Sequence, residues 1–81
     1  MANNTIFGLA SYAYTADASR QWRLLDRLEY GMIGINAPSC SLPSAPFGGV
    51  KQSGLGREGS HLGLHDYLDV KTAHIGIRAT L

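Results

Sequence analysis

The chain has 81 residues, a formal net charge of +1, 44% apolar residues and 16% charged ones. That balance excludes a disordered tail, and seven basic against six acidic residues leave no electrostatic footprint for nucleic acid or an anionic membrane. A chain this short makes one small domain at most, burying roughly 60–65% of its unfolded surface, and its low charge favours association with another chain. Cys40 is the single cysteine and forms no intrachain disulfide. No basic segment followed by an apolar one follows Met1, and no apolar run approaches the ~20 residues that span a bilayer. The expectation is a soluble cytoplasmic protein.

In chain order, Leu9 to Thr15 reads as a strand with Tyr12 and Tyr14 on one face. Thr15 or Asp17 can cap a helix in which Ala18, Trp22, Leu25 and Leu28 recur at helical spacing, with Leu24 widening the stripe. Gly31 is placed to stop that helix. Met32 to Ile35 reads as a second, buried strand. Strand, helix and strand within about 30 residues form a βαβ unit, with parallel strands and a right-handed crossover.

Residues 37–55 carry Pro38, Pro43 and Pro46, then Gly48, Gly49 and Gly54. A loop of that length within a small domain is usually functional. A helix is expected from about Gly56 to Tyr67, where Gly56, Ser60 (or Gly59) and Gly63 line one face with Tyr67. Glu58 would then sit near the positive end of its dipole. Leu68 to Ile77 reads as a terminal strand, on the β propensity of Val70, Thr72, Ile75 and Ile77. The class is α/β: a partial βαβ unit, a long loop, a helix and a C-terminal strand that needs a sheet to join.

Gly54, Gly56 and Gly59 spell G-x-G-x-x-G, the spacing of a dinucleotide fingerprint. The context is wrong for it. A buried strand must lead straight into the first glycine, yet Val50-Lys51-Gln52-Ser53 precede Gly54 and the nearest apolar strand ends at Ile35. The acidic residue about 20 positions further on is missing as well. No P-loop lysine follows. The glycines are expected instead to shape a loop and to let a helix pack closely.

Read together, three segments resemble the aldehyde dehydrogenase superfamily. Pro46-Phe47-Gly48-Gly49-Val50-Lys51-Gln52-Ser53-Gly54-Leu55-Gly56-Arg57-Glu58 is similar to its C-terminal signature. Asn3-x-x-x-Phe7-Gly8-Leu9-Ala10 resembles its N-x-x-x-[YF]-G-L-A segment, and Gly31 to Asn36 its G-x-x-x-[IV]-N strand. Leu28 to Met32, Val50 to Ser60 and Asp66 to Lys71 most resemble succinate-semialdehyde dehydrogenases.

The resemblance implies a reaction in which a thiolate attacks an aldehyde, hydride passes to NAD(P), and glutamate-activated water releases the acid. It also implies that the nucleophile, the general base and the cofactor domain lie upstream of this segment. The chain then carries no catalytic and no cofactor-binding residue, and NAD(P) belongs to the full-length enzyme. Residues 1–81 would form a single partial domain, with 37–55 as a substrate-side loop and 68–77 as an oligomerisation strand. Phe47, before the paired glycines, would line the aldehyde pocket, and Ser41 would stand near a substrate carboxylate. Asn36, Gly48, Gly49 and Lys51 would structure the loop.

Other residues invite roles that their surroundings do not support. Cys40 lies in Pro38-Ser39-Cys40-Ser41, unlike the family's nucleophile segment, and no basic group is placed by sequence to activate it. It is read as a bystander thiol. His61 and His65 have helix-borne metal spacing, but Leu62 stands where H-E-x-x-H needs its glutamate, and no metal is expected. Arg20, Arg23 and Arg27, diluted by Asp26 and Glu29, read as a solvated face.

Three functional readings follow. The first is an aldehyde-dehydrogenase-like fragment, inactive alone, that forms a homo-oligomer through its last strand. The second is a small interaction module. The third is a segment that completes an enzyme with a separately encoded upstream half.

Overall fold

The computed structural model describes residues 1–78. It contains strand β1 (Ala10–Ala13), helix α1 (Ala18–Arg27), strand β2 (Met32–Ile35) and two 3₁₀ turns, Lys51–Ser53 and Gly63–Tyr67. The βαβ unit is present. β1 and β2 pair in parallel, with Ala10 opposite Met32 and Ala13 opposite Ile35.

α1 begins where Asp17, in extended backbone, accepts the Ser19 amide on its carboxylate at 3.1 Å. Its end is not made by Gly31. The backbone turns extended at Leu28 (φ −73°, ψ 125°), and the Leu28 amide closes the last turn on Leu24. Asn3 then takes over. Its amide group donates to the Arg27 carbonyl at 2.8 Å and its oxygen accepts the Glu29 amide at 2.9 Å, satisfying groups a helix end leaves open.

Gly31 serves close approach instead. A Cβ there would collide with the Gly48 carbonyl oxygen and the Gly49 Cα. The loop is thereby laid against the entry to both strands. The Gly8 carbonyl accepts from Gly31 and from Val50, each at 2.9 Å, and the Gly8 amide donates to the Ser53 hydroxyl at 2.8 Å. Farther along β2, Gly34 lies under the Tyr12 ring and the Cys40 sulfur.

Two expected elements are replaced. No helix runs from 56 to 67. Gly56 (φ 79°), Gly59 (φ 65°) and Ser60 (φ 50°) all lie in left-handed backbone, which breaks a right-handed helix. In its place stand an isolated antiparallel bridge between Phe47 and Glu58, a turn at 60–62 and the second 3₁₀ turn. Glu58 therefore opens no helix. Nor do residues 68–77 form a strand in the single chain. They run exposed and join no ladder, because a strand is defined by a partner's backbone and none lies beside them.

The core is correspondingly thin. Among the described residues Met32 alone of the apolar side chains is buried, at 7% exposure, while Trp22 on the apolar stripe of α1 stands 73% exposed. The radius of gyration is 19.6 Å, against about 12 Å for a compact domain of this length. The accessible surface of 6956 Å² is about one and a half times that of a compact chain of this mass. Among the described residues no helix is long and apolar enough to cross a membrane.

Candidate functional site

The loop between β2 and the second 3₁₀ turn folds on itself around one point, the bridge between Phe47 and Glu58. The Phe47 amide donates to the Glu58 carbonyl at 2.9 Å, and the Glu58 amide returns a bond to Phe47 at 2.7 Å. Toward the loop tip, Ser60 donates to the Pro43 carbonyl at 3.0 Å and Ala45 to that of Leu42 at 3.1 Å. Backbone bonds of this kind hold an irregular segment because each satisfies a group that would otherwise need water.

Phe47 stands at the junction of two open depressions. The smaller, about 310 Å³, is lined by Ser41, Pro43, Phe47, Glu58 and Gly59. The larger, about 660 Å³, is lined by Phe47 as well and by Gly49, Leu55, Arg57 and Tyr67. Ser41 and Phe47 thus share one surface. An aromatic wall with a few polar groups beside it is a usual small-molecule lining.

Asn36 acts at the opposite end of the sheet from the paired glycines. In left-handed backbone (φ 54°), its side chain pairs with Thr15 in both directions, accepting the Thr15 amide and donating to its carbonyl, each at 2.8 Å. β2 is tied by it to the turn before α1. Lys51 is also left-handed (φ 57°), and its ammonium pairs with Glu29 at 2.8 Å and donates to the carbonyls of Asn3 and Thr5. The Glu29 side chain is 57% exposed, so this pair contributes at most about 1 kcal/mol. Gly49 is buried against Ser53 and Gly8, and Gly48 packs on the Arg57 stem.

Cys40 sits half-buried beside Tyr12. A side-chain hydrogen bond with Cys40, reinforced by partial desolvation, raises the Tyr12 phenol above its ordinary range. His61 lies in the turn and His65 inside the second 3₁₀ turn, so the expected helical spacing of the pair is not realised. Among the described residues no three His, Cys, Asp or Glu side chains converge.

The glycine motif does not fit a nucleotide phosphate. The Arg57 amide at its centre donates to the Asp66 carboxylate at 2.8 Å, and that carboxylate packs against Gly56. A phosphate there would meet a negative charge, and the five-residue 3₁₀ turn beyond offers no helix end to offset it.

Sequence reading missed four organising residues: Asn3 at the end of α1, Ser53 on Gly8, and the pair Arg57 and Asp66. Asn3 and Arg57 were visible as parts of motifs, but their partners, 24 and nine residues away, carry no local signal.

The aldehyde dehydrogenase family model matches residues 1–73. A probable succinate-semialdehyde dehydrogenase [NADP(+)] of Sinorhizobium fredii is 59% identical over 75 residues, covering 93% of this chain and 15% of the relative. A glutarate-semialdehyde dehydrogenase of Pseudomonas putida is 56% identical over 77 residues, covering 95% of this chain and 16% of the relative. The crystal structure of an E. coli NADP dependent enzyme superposes with a TM-score of 0.88 at 55% identity, over 93% of this chain and 16% of that one. The chain therefore spans about one sixth of the length of the proteins it matches.

Proposed function

The chain belongs to the aldehyde dehydrogenase family, and on that premise we propose that it is the substrate-side C-terminal segment of an NAD(P)-dependent semialdehyde dehydrogenase, without turnover of its own. The observation that carries this reading is the shared depression of Ser41 and Phe47 beside the Phe47–Glu58 bridge. Phe47 supplies an apolar wall for the carbon chain of an aldehyde, and the Ser41 hydroxyl a donor for a distal carboxylate. The matched relatives named for succinate and glutarate semialdehydes support a substrate with an acid at its far end. Asn36, Gly48, Gly49 and Lys51 hold the loop that carries these two side chains.

Complementation tests the reading. The 81-residue chain is mixed with a succinate-semialdehyde dehydrogenase cut back to lack the matching segment, and NADPH formation is followed with succinate semialdehyde. Neither piece alone should turn over, and together they should. A Phe47→Ala chain should raise KM by about tenfold, in line with losing a buried aromatic contact. Turnover by the chain alone, or none by the pair, would overturn the assignment.

A second reading is supported by the exposed run from Leu68 to Arg78, with Val70, Ile75 and Ile77 open to water. On this reading the run is an oligomerisation strand that joins a sheet of another copy, since unpaired extended backbone of this kind recruits a partner. Light scattering of the chain and of a version ending at Tyr67 distinguishes the outcomes. Self-association lost on truncation supports it, and a monomer in both cases rejects it.

A further inference from the structure

The Phe47–Glu58 bridge lacks backbone support on one side. In its antiparallel register the next hydrogen-bonding pair toward the sheet, past Gly48 and Arg57, would be Gly49 and Gly56, yet these present two carbonyl oxygens and no bond between them. One nitrogen of the half-buried Arg57 guanidinium, Nη1, lies between those oxygens and donates to both, to Gly49 at 2.8 Å and to Gly56 at 2.7 Å. Two facing acceptors cannot pair with each other, so a cationic donor takes the place of the missing ladder bond.

We propose that Arg57 is the positioning residue for Phe47, fixing the bridge that presents the ring to the depression shared with Ser41. Three features of the loop serve this arrangement. Gly48 leaves room for the Arg57 stem, since a Cβ there would lie 2.7 Å from Arg57 Cδ. Asp66 anchors Arg57 from the second 3₁₀ turn by accepting its backbone amide. Toward the loop tip the bridge is supported by backbone bonds, at Ser60 to Pro43. Toward the sheet, between the two glycine carbonyls, the bonds are those of Arg57.

The inference rests on Phe47 being a substrate-facing residue, but its test does not. Amide hydrogen exchange is measured by NMR on the 81-residue chain and on two variants, Arg57→Lys and Arg57→Met. Lysine keeps a cationic donor, whereas methionine keeps the stem and loses every donor. Exchange at Phe47 and Glu58 should accelerate about tenfold or more in Arg57→Met and stay near the parent rate in Arg57→Lys. The sheet amides of Met32 and Asn36 should hold in both. Equal protection at Phe47 in the two variants would overturn the proposal, because packing of the stem would then suffice. Equal acceleration of loop and sheet amides in Arg57→Met would overturn it too, because the bonds would then serve the whole chain. A failure of the complementation experiment with this exchange pattern intact would refute the substrate role and leave the positioning role standing.

Discussion

The stretch from Ile6 to Glu58 and the stretch from Leu68 to Arg78 carry a similar share of apolar residues, and they end in opposite conditions. In the first, backbone groups are matched across long separations: Gly8 with Gly31 and Val50, Ile6 with Gln52, Phe47 with Glu58. In the second, every residue is exposed, and apart from the Leu68 amide donating to the His65 carbonyl at 3.4 Å no described residue hydrogen-bonds back to the rest of the chain. Neither stretch owes its state to a hydrophobic core, since among the described residues Met32 is the one buried apolar side chain. Order here follows from hydrogen-bond partners supplied within the chain and from glycines that let backbones touch. Where those partners are not supplied, the same kind of composition yields an extended run.

The strongest way to break that contrast is at the contact between loop and sheet. Gly31→Val places a side chain where the Gly48 carbonyl lies, and should cost about 3 kcal/mol or more. In so thin a fold this should bring the amide dispersion of residues 6–58 close to that of the tail. An unchanged spectrum would show that the loop is not seated as described.

Asn36 sharpens the contrast by separating two contributions at one position. Asn36→Gly keeps the left-handed backbone and removes both bonds to Thr15, for an expected loss of about 1–2 kcal/mol in urea unfolding. Asn36→Ala should cost about 1 kcal/mol more, from forcing a Cβ into that conformation. Equal losses would mean that the bonds alone matter.

The smallest effect concerns pH. Because the folded Tyr12 value is raised, its stabilising contribution is fully present below the unfolded value of about 10 and is lost as pH rises through the folded value. The urea midpoint of the parent relative to Tyr12→Phe should therefore be flat below about pH 10 and fall above it. A parent that gains on the variant at high pH would contradict the hydrogen bond with Cys40.

What could be read in advance was local. Helix spacing from Ala18 to Leu28 with Asp17 before it, and two apolar runs on either side, were enough for β1, α1, β2 and their parallel pairing. The motif around Phe47, read with the segments from Asn3 to Ala10 and from Gly31 to Asn36, was enough for the family. Ser41 and Phe47 became candidates only through resemblance, because an exposed serine and phenylalanine in a proline-rich loop have no distinguishing pattern.

The sequence by itself determined the βαβ unit and the family, because periodicity and short motifs are properties of neighbours in the chain. Only the tertiary structure decided the rest. Gly31 admits the Gly48–Gly49 backbone and does not end a helix, and the glycines from 56 to 63 build a bridge and turns in place of a helix. Arg57 joins two carbonyls that face each other across the loop, and among the described residues the tail finds no strand to pair with. Each of these depends on which distant backbone arrives, or fails to arrive, within hydrogen-bonding reach, and residue spacing carries no record of that.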